Sequence, residues 1–124
     1  YSADGSLDNT FGENGTLVHY IEQGDTHFTS TVIQDDGKIV AAGSTWNGSN
    51  YDFSFVRYNT NGSLDNTFVT AGKQITDFDN TNDVANAMTI QNDGKFLLAG
   101  YAGDNFAIAR YNTNGSLDNT FGYW

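Results

Sequence analysis

Apolar positions along this chain fall in short runs separated by clusters of glycine, asparagine and aspartate. Short runs that are rich in β-branched and aromatic residues and bounded by turn-forming residues are typical of β-strands. No stretch has the sustained 3.6-residue period that indicates a helix. The pattern predicts four strands in each half of the chain: Thr16–Ile21, Phe28–Gln34, Lys38–Ser44, Phe53–Tyr58, Lys73–Phe78, Ala85–Gln91, Lys95–Tyr101 and Phe106–Tyr111.

Two Asp-Gly pairs, Asp36-Gly37 and Asp93-Gly94, each lie between the second and third predicted strands of their half. An Asp-Gly pair accepts the positive φ angles that a tight hairpin turn requires. We therefore expect neighbouring strands to run antiparallel.

The third and fourth strands of each half predict sheets that are stacked on one another. The third strands, Lys38–Gly43 and Lys95–Gly100, are apolar at consecutive positions. Because side chains alternate between the two faces of a strand, such a strand is covered on both sides. The fourth strands alternate large and small side chains, with the large ones at Phe53, Phe55, Phe106 and Ile108.

The chain repeats itself. The segment Tyr1–Phe11 returns as Tyr58–Phe68 and Tyr111–Phe121, and the last two both read YNTNGSLDNTF. Repetition at this spacing is the signature of a propeller or a solenoid. We predict an all-β fold of tandem four-stranded antiparallel units, the blades of a β-propeller or the coils of a solenoid, about two repeats of a larger ring or array. The predicted units are residues 1–57 and 58–110, and residues 111–124 are the connector of a following repeat.

One repeat reads Gln-x-Asp-Gly-Lys, then an apolar run ending in Ala-Gly, then Phe-x-x-x-Arg-Tyr-Asn-x-x-Gly-Ser-Leu-Asp-x-x-Phe-Gly. This pattern resembles the bacterial delta-60 repeat over nearly the whole chain. The resemblance implies a β-propeller repeat of large secreted or surface proteins, with no catalytic residues to carry over. The second copy departs from the pattern at Val69, where Gly12 and Gly122 stand in the others, and we expect a looser turn there.

The charge balance limits the partners. Five basic residues face 15 acidic ones, which gives a net charge of −10. Such a surface repels nucleic acids and anionic lipids, and no apolar run reaches the roughly 18 residues of a membrane-spanning helix. The chain begins at Tyr1 without a signal peptide, and we expect it to be an excerpt of a longer protein.

Arginine and aspartate recur at fixed positions of the repeat. Arg57 and Arg110 precede the connector, and Asp65 and Asp118 lie within it, as does Asp8 in the first copy. We expect Arg–Asp bridges that hold each connector to its blade, because a paired guanidinium and carboxylate define a geometry well.

The loop from Trp46 to Asp52 is the first candidate site. Its two aromatic rings, Trp46 and Tyr51, stand beside the polar side chains of Asn47, Asn50 and Asp52. Rings that stack on sugar faces next to amides that bond hydroxyl groups would form a glycan site. In the alternative, the two rings pack on the adjacent blade.

The acidic run Asp77–Asp83 is a second candidate, because oxygen-bearing side chains alternate as at the start of a calcium loop. Asp77, Asp79 and Asp83 would be the ligands. The run lacks the central glycine of such a loop, and Met88 stands where the bidentate glutamate belongs. The alternative is a solvated acidic loop, and we expect no cofactor and no requirement for metal.

The sequence predicts a protein that is not an enzyme. His19 and His27 lack the spacing of a metal site, and neither a cysteine nucleophile nor a phosphate-binding loop is present. We predict a non-catalytic structural or interaction module of a secreted or cell-surface bacterial repeat protein, used for adhesion, display or assembly. The alternative is a carbohydrate-binding propeller with sites at blade-edge loops. Expected partners are further repeats of the same polypeptide or identical chains, and a glycan or a cell-surface protein.

Overall fold

The computed structural model describes residues 1–19, 24–69 and 71–122. Over these residues the chain forms two antiparallel sheets, one with the strand order β1-β2-β3-β4 and one with the order β5-β6-β7. The strands are β1 Thr26–Ile33, β2 Ile39–Trp46, β3 Tyr51–Tyr58, β4 Lys73–Thr76, β5 Asp83–Ile90, β6 Phe96–Ala102 and β7 Asn105–Tyr111. Among the described residues, no helix is long and apolar enough to cross a membrane. The predicted all-β class with antiparallel strands is confirmed.

The first sheet crosses the boundary predicted between residues 57 and 58. Its fourth strand, β4, comes from the second sequence unit and pairs with β3, where Phe53 lies opposite Thr76. Sequence repeats and sheets are therefore offset by one strand. Of the predicted first strand Thr16–Ile21, Tyr20 and Ile21 lie outside the described residues, and Thr16 makes only an isolated bridge to Glu13.

Both sheets carry a β-bulge at equivalent positions, between Phe28 and Ser30 and between Ala85 and Ala87. The bulge explains the Ala-Gly that ends the apolar run of each repeat. A Cβ on Gly43 would overlap the carbonyl oxygen of His27, and one on Gly100 would overlap that of Val84. Both positions need glycine because the backbone of the bulged strand passes so close to them.

The main core lies between the two sheets. It joins aromatic residues of β3 to residues of β6 and β7, and the ring of Phe55 lies 4.6 Å from that of Tyr111 and 5.8 Å from that of Phe96, measured between centroids. Its buried members are Val40, Ala42, Phe53, Phe55, Phe68, Ala85, Met88, Phe96, Leu98, Ala107, Ala109 and Tyr111. A smaller cluster of Ala41, Val56 and Tyr58 forms on the other face of the first sheet. The strand β2 is thus covered on both sides, as predicted.

Successive connectors hydrogen-bond to one another. The backbone N–H of Gly12 donates to the carbonyl of Asn61 at 2.8 Å, and that of Val69 donates to Asn114 at 3.0 Å. Val69 has the positive φ, 44°, that glycine has at Gly12. The bond to Asn114 and packing against the core hold this valine in the conformation of the glycine it replaces. The turn expected to be looser runs into residue 70, which lies outside the described residues.

Candidate functional site

The connectors Tyr58–Phe68 and Tyr111–Phe121 are each held by a carboxylate clasp. In the first clasp, the Oδ2 atom of Asp65 accepts hydrogen bonds from Nε of Arg57 and Nζ of Lys38, both at 2.8 Å. Its Oδ1 atom accepts bonds from the backbone N–H and the hydroxyl group of Thr67. The predicted Arg–Asp bridge is confirmed. The lysine was not predicted from the sequence, although a lysine directly follows both Asp-Gly pairs and so recurs with the repeat.

The second clasp repeats the first. Asp118 binds Lys95 and Arg110 at 2.8 Å each. Hydrogen bonds from Lys95, Thr120 and Arg110 hold the pKa of Asp118 well below its usual range. Burial alone would raise the pKa of Asp65, but the bonds from Lys38, Thr67 and Arg57 outweigh it and lower that pKa. The recurrence of the clasp in both repeats identifies it as part of the scaffold.

His19 makes a contact that also belongs to the repeated scaffold. Its Nδ1 atom lies 3.0 Å from the hydroxyl oxygen of Tyr58. At the equivalent place in the next repeat, the Tyr111 hydroxyl donates to Oγ1 of Thr76 at 2.8 Å. Burial raises the pKa of both tyrosines. The contact of His19 is therefore the counterpart of a structural hydrogen bond.

The predicted glycan loop forms the turn between β2 and β3, and its polar side chains bond within the chain. Oδ1 of Asn47 accepts from the N–H groups of Ser49 and Asn50, while Nδ2 of Asn47 donates to Asp52 Oδ2 at 2.8 Å and also to Asn50 Oδ1. The half-buried rings of Trp46 and Tyr51 meet edge to face at 5.2 Å. The loop's amides are thus engaged in holding its own conformation.

The same loop contacts the segment that joins the two sheets. The buried side chain of Asn50 donates from Nδ2 to the carbonyl of Thr81 at 2.7 Å. The N–H of Tyr51 donates to Oδ1 of Asn82 at 3.1 Å. The hairpin end of the first sheet is consequently joined to the residues that lead into β5.

This junction brings together an acidic cluster, which we define as Asp52, Asp77 and Asp83. One carboxylate oxygen from each lies within 4.8 Å of the other two. The cluster takes Asp77 and Asp83 from the predicted calcium run and Asp52 from the predicted glycan loop. It does not include Asp79, which is exposed. No local sequence signal links Asp52 to the acidic run, because the fold alone brings them together.

An exposed apolar face on the second sheet is the other candidate. Phe106 is fully exposed and Ile108 is 57% exposed, although both lie within β7. A cavity of about 400 Å³ lies along them and is lined also by Phe78 and Phe121. The face therefore offers apolar surface for another protein segment to cover.

Comparison with known proteins agrees with the fold. A search among curated proteins found no match. The profile of a family described as "Domain of unknown function (DUF5122) beta-propeller" matches residues 34–68 and 91–121. Together these segments span more than half of the chain and include both Asp-Gly hairpins, both clasps and the last two connectors. The chain is therefore a member of this β-propeller family, and its two sheets are propeller blades.

Proposed function

We propose that this chain is a non-catalytic structural module whose blades pack against further blades of the same kind, in a larger bacterial propeller of the delta-60 type. The observation that carries this proposal is a face that is buried in the first blade and exposed in the second.

The two faces correspond residue by residue through the repeat. On the first blade this face is covered by the second blade, and none of its members is more than 3% exposed: Val40, Ala42, Ser44, Phe53 and Phe55. The second blade carries the equivalent set, which is half-buried or exposed: Leu97, Ala99, Tyr101, Phe106 and Ile108. Exposed apolar patches of this kind mark interaction sites. The covered face of the first blade supports another blade as the partner of the second.

The edge strand supports the same partner. In the first blade β3 pairs with β4, which the following sequence unit supplies. Within the described part of the chain, the equivalent strand β7 pairs with β6 alone. An unpaired edge is a template for an added strand. A further repeat would add that strand and cover the apolar face in one step.

Polar side chains on β1 and β5, the first strand of each blade, also favour another blade as the partner. The bulge residue Thr29 donates from its hydroxyl to the carbonyl of Ala85 on the second blade, at 2.6 Å. Asn86 holds the equivalent position on β5 and is exposed. Its side-chain amide can donate the same kind of bond to the first strand of a third blade.

Assembly is the role that these contacts support, as part of a secreted or cell-surface protein with adhesion or display functions. The acidic surface and the resemblance to repeats of such proteins support this setting. The non-catalytic assignment is supported by the repeated Asp, Lys and Arg residues, whose charged groups are paired in the two clasps.

Sedimentation of the 124-residue chain at several concentrations tests the proposal. We expect concentration-dependent association, which the double substitution Phe106→Ser and Ile108→Ser reduces. The control is Ile33→Ser, which removes a 71% exposed apolar side chain that is not part of this face. A folded wild-type monomer at every concentration would contradict packing on this face. A monodisperse closed oligomer would show that identical chains build the ring, against the larger parent protein proposed here.

A further inference from the structure

The acidic cluster places three carboxylates from three segments at the junction of the two blades. Asp52 lies near the start of β3, Asp77 directly follows β4, and Asp83 begins β5. Asp52 is 3% exposed and Asp83 is fully buried, whereas Asp77 is exposed and gives the cluster access to solvent. Two buried negative charges and one exposed charge therefore share one small region.

The hydrogen bonds that these carboxylates accept come from neutral groups. Asp83 accepts from the N–H of Phe78 at 2.6 Å and from the hydroxyl of Thr81 at 2.7 Å. Asp77 accepts from the N–H of Asn80 at 2.8 Å. The clasps differ, since each buried aspartate there binds a lysine and an arginine. In the part of the chain that the structure describes, these neutral donors bring no counter-charge to the cluster, and a buried charge without a counter-charge is costly.

One oxygen of Asp52 also lacks a donor. Its Oδ2 atom accepts from Asn47 at 2.8 Å, but its buried Oδ1 atom has no hydrogen-bond partner in the described part of the chain. Burial raises the pKa of Asp52, and the charges of Asp77 and Asp83 add to this effect against the bond from Asn47. A buried, unpartnered carboxylate oxygen beside two other carboxylates needs a proton or a cation.

We propose that Asp52, Asp77 and Asp83 bind a divalent cation, with Ca²⁺ as the expected ion, and that this ion joins the two blades. Ca²⁺ is bound by oxygen ligands at about 2.3–2.6 Å, so two ligands on opposite sides of one ion are separated by about 4.8 Å. The oxygens of the cluster lie within this range of one another. Water reaching the exposed Asp77 would complete the coordination.

The site is a feature of this one junction and is not part of the repeated scaffold. The repeat places Asn105 at the position of Asp52 and Thr26 at the position of Asp83, and neither carries a charge. The proposal differs from the sequence-based expectation that metal is not required, because only the fold adds Asp52 to the acidic run. The loop that was considered for glycans would instead supply a cation ligand.

Binding is tested by calorimetric titration of the full chain with CaCl₂, together with thermal melting in EDTA and in 10 mM CaCl₂ at matched ionic strength. We expect a dissociation constant of about 10⁻⁴–10⁻³ M, the range of extracellular calcium modules. We also expect a higher Tm in calcium, because a ligand that binds only the folded state stabilises it.

Three variants locate the site. Asp77→Asn removes an exposed ligand without disturbing the core, and should weaken Ca²⁺ binding at least tenfold. Asp52→Asn should abolish the response to calcium but raise the Tm measured in EDTA, because it removes a buried charge. The matched control Asp79→Asn changes an exposed aspartate two residues from Asp77 and should leave binding unchanged.

Three results would overturn the proposal. The first is the absence of both binding heat and a Tm shift in the wild-type chain at 10 mM CaCl₂. The second is an equal loss of binding in Asp77→Asn and Asp79→Asn, which would indicate diffuse attraction to an acidic loop. The third is an unchanged calcium response in Asp52→Asn, in which case a shared proton compensates the buried carboxylate.

Discussion

At the residue scale, three equivalent connector glycines differ in their surroundings. Gly5, Gly62 and Gly115 have φ angles of 86°, 84° and 89°, so all three adopt the left-handed conformation that glycine tolerates best. A Cβ at Gly5 would meet open space, whereas one at Gly115 would lie 2.6 Å from atoms of Phe68 and Val69. At Gly5 the glycine serves only the turn. At Gly115 it serves the turn and also allows two connectors to pack closely on one another.

Substitution of these glycines separates the two roles. Both Gly5→Ala and Gly115→Ala impose the same backbone strain, but only Gly115→Ala forces a methyl group against the buried ring of Phe68. We expect Gly115→Ala to lower the free energy of unfolding by about 1–3 kcal/mol more than Gly5→Ala, the usual cost of overpacking. Urea denaturation measures both values. Equal losses would show that the connectors do not pack on one another.

At the scale of elements, the connector depends on its clasp because it has no ladder of strand hydrogen bonds. Leu64 and Leu117 each make only an isolated bridge, to Tyr58 and Tyr111. The Arg57 guanidinium also lies 4.2 Å from the centroid of the Phe68 ring. One carboxylate thus positions a lysine from the hairpin, an arginine from β3 and the turn that follows.

The clasp predicts how stability depends on pH. The folded-state pKa of Asp65 is lowered, so its contribution is present above the ordinary value of 3.8 and is lost as the pH falls below it. We expect Asp65→Asn to lower the Tm by several degrees at pH 7. The Tm difference from wild type should stay constant down to about pH 5 and shrink below about pH 4, where Asp65 of the unfolded chain begins to bind protons while that of the folded chain does not.

A matched control exists in the first connector. Asp8 accepts the same two hydrogen bonds from Thr10 that Asp65 accepts from Thr67. Asp65 in addition forms ion pairs with Lys38 and Arg57, which a substitution of Asp8 leaves intact. Asp8→Asn should therefore lower the Tm less than Asp65→Asn does. If the two variants have the same melting curves at every pH, the ion pairs do not stabilise the fold.

At the scale of the whole molecule, equivalent positions are buried or exposed according to whether another blade follows. Phe53 and Phe106 occupy the same place in the repeat. Phe53 is fully buried between the blades and its ring meets that of Phe78 at 5.2 Å, while Phe106 is fully exposed. The environment of a repeat residue is therefore set by its neighbour in the stack.

Alanine substitution at these two positions measures how much the core between the blades contributes to the free energy of unfolding. Phe53→Ala should cost about 3–5 kcal/mol, as expected for a buried aromatic residue. Phe106→Ala should change the stability of the isolated chain by less than about 0.5 kcal/mol, as for an exposed position. Urea denaturation at low protein concentration measures both. Comparable costs would mean that the face carrying Phe106 is already covered in solution.

Much of the fold could be predicted because it is encoded locally. Asp-Gly pairs specify hairpins through their backbone conformation, and consecutive apolar residues in β2 indicate a strand covered on both faces. The Arg57–Asp65 pair was predictable because the repeat presents it again as Arg110 and Asp118. Seven of the eight predicted strands have a counterpart among the described residues, and the eighth, Thr16–Ile21, extends beyond them.

The assignment of strands to blades was less accessible to sequence reasoning. The repeat begins at the connector, but β4 follows the connector and still completes the preceding blade. A repeating sequence has no intrinsic starting point, so any frame describes it equally well. Backbone pairing between β3 and β4, formed across the connector, decides which strands share a sheet.

By itself, the sequence determined the strands, the turns, the repeat and the clasps, because each depends on residues that are close in the chain or recur in each copy. Only the tertiary structure decided the acidic cluster and the difference between Phe53 and Phe106. Asp52 joins Asp77 and Asp83 because β3, β4 and β5 converge at one end of the blades. Contacts between distant segments depend on how sheets stack, and no local pattern of residues records that arrangement.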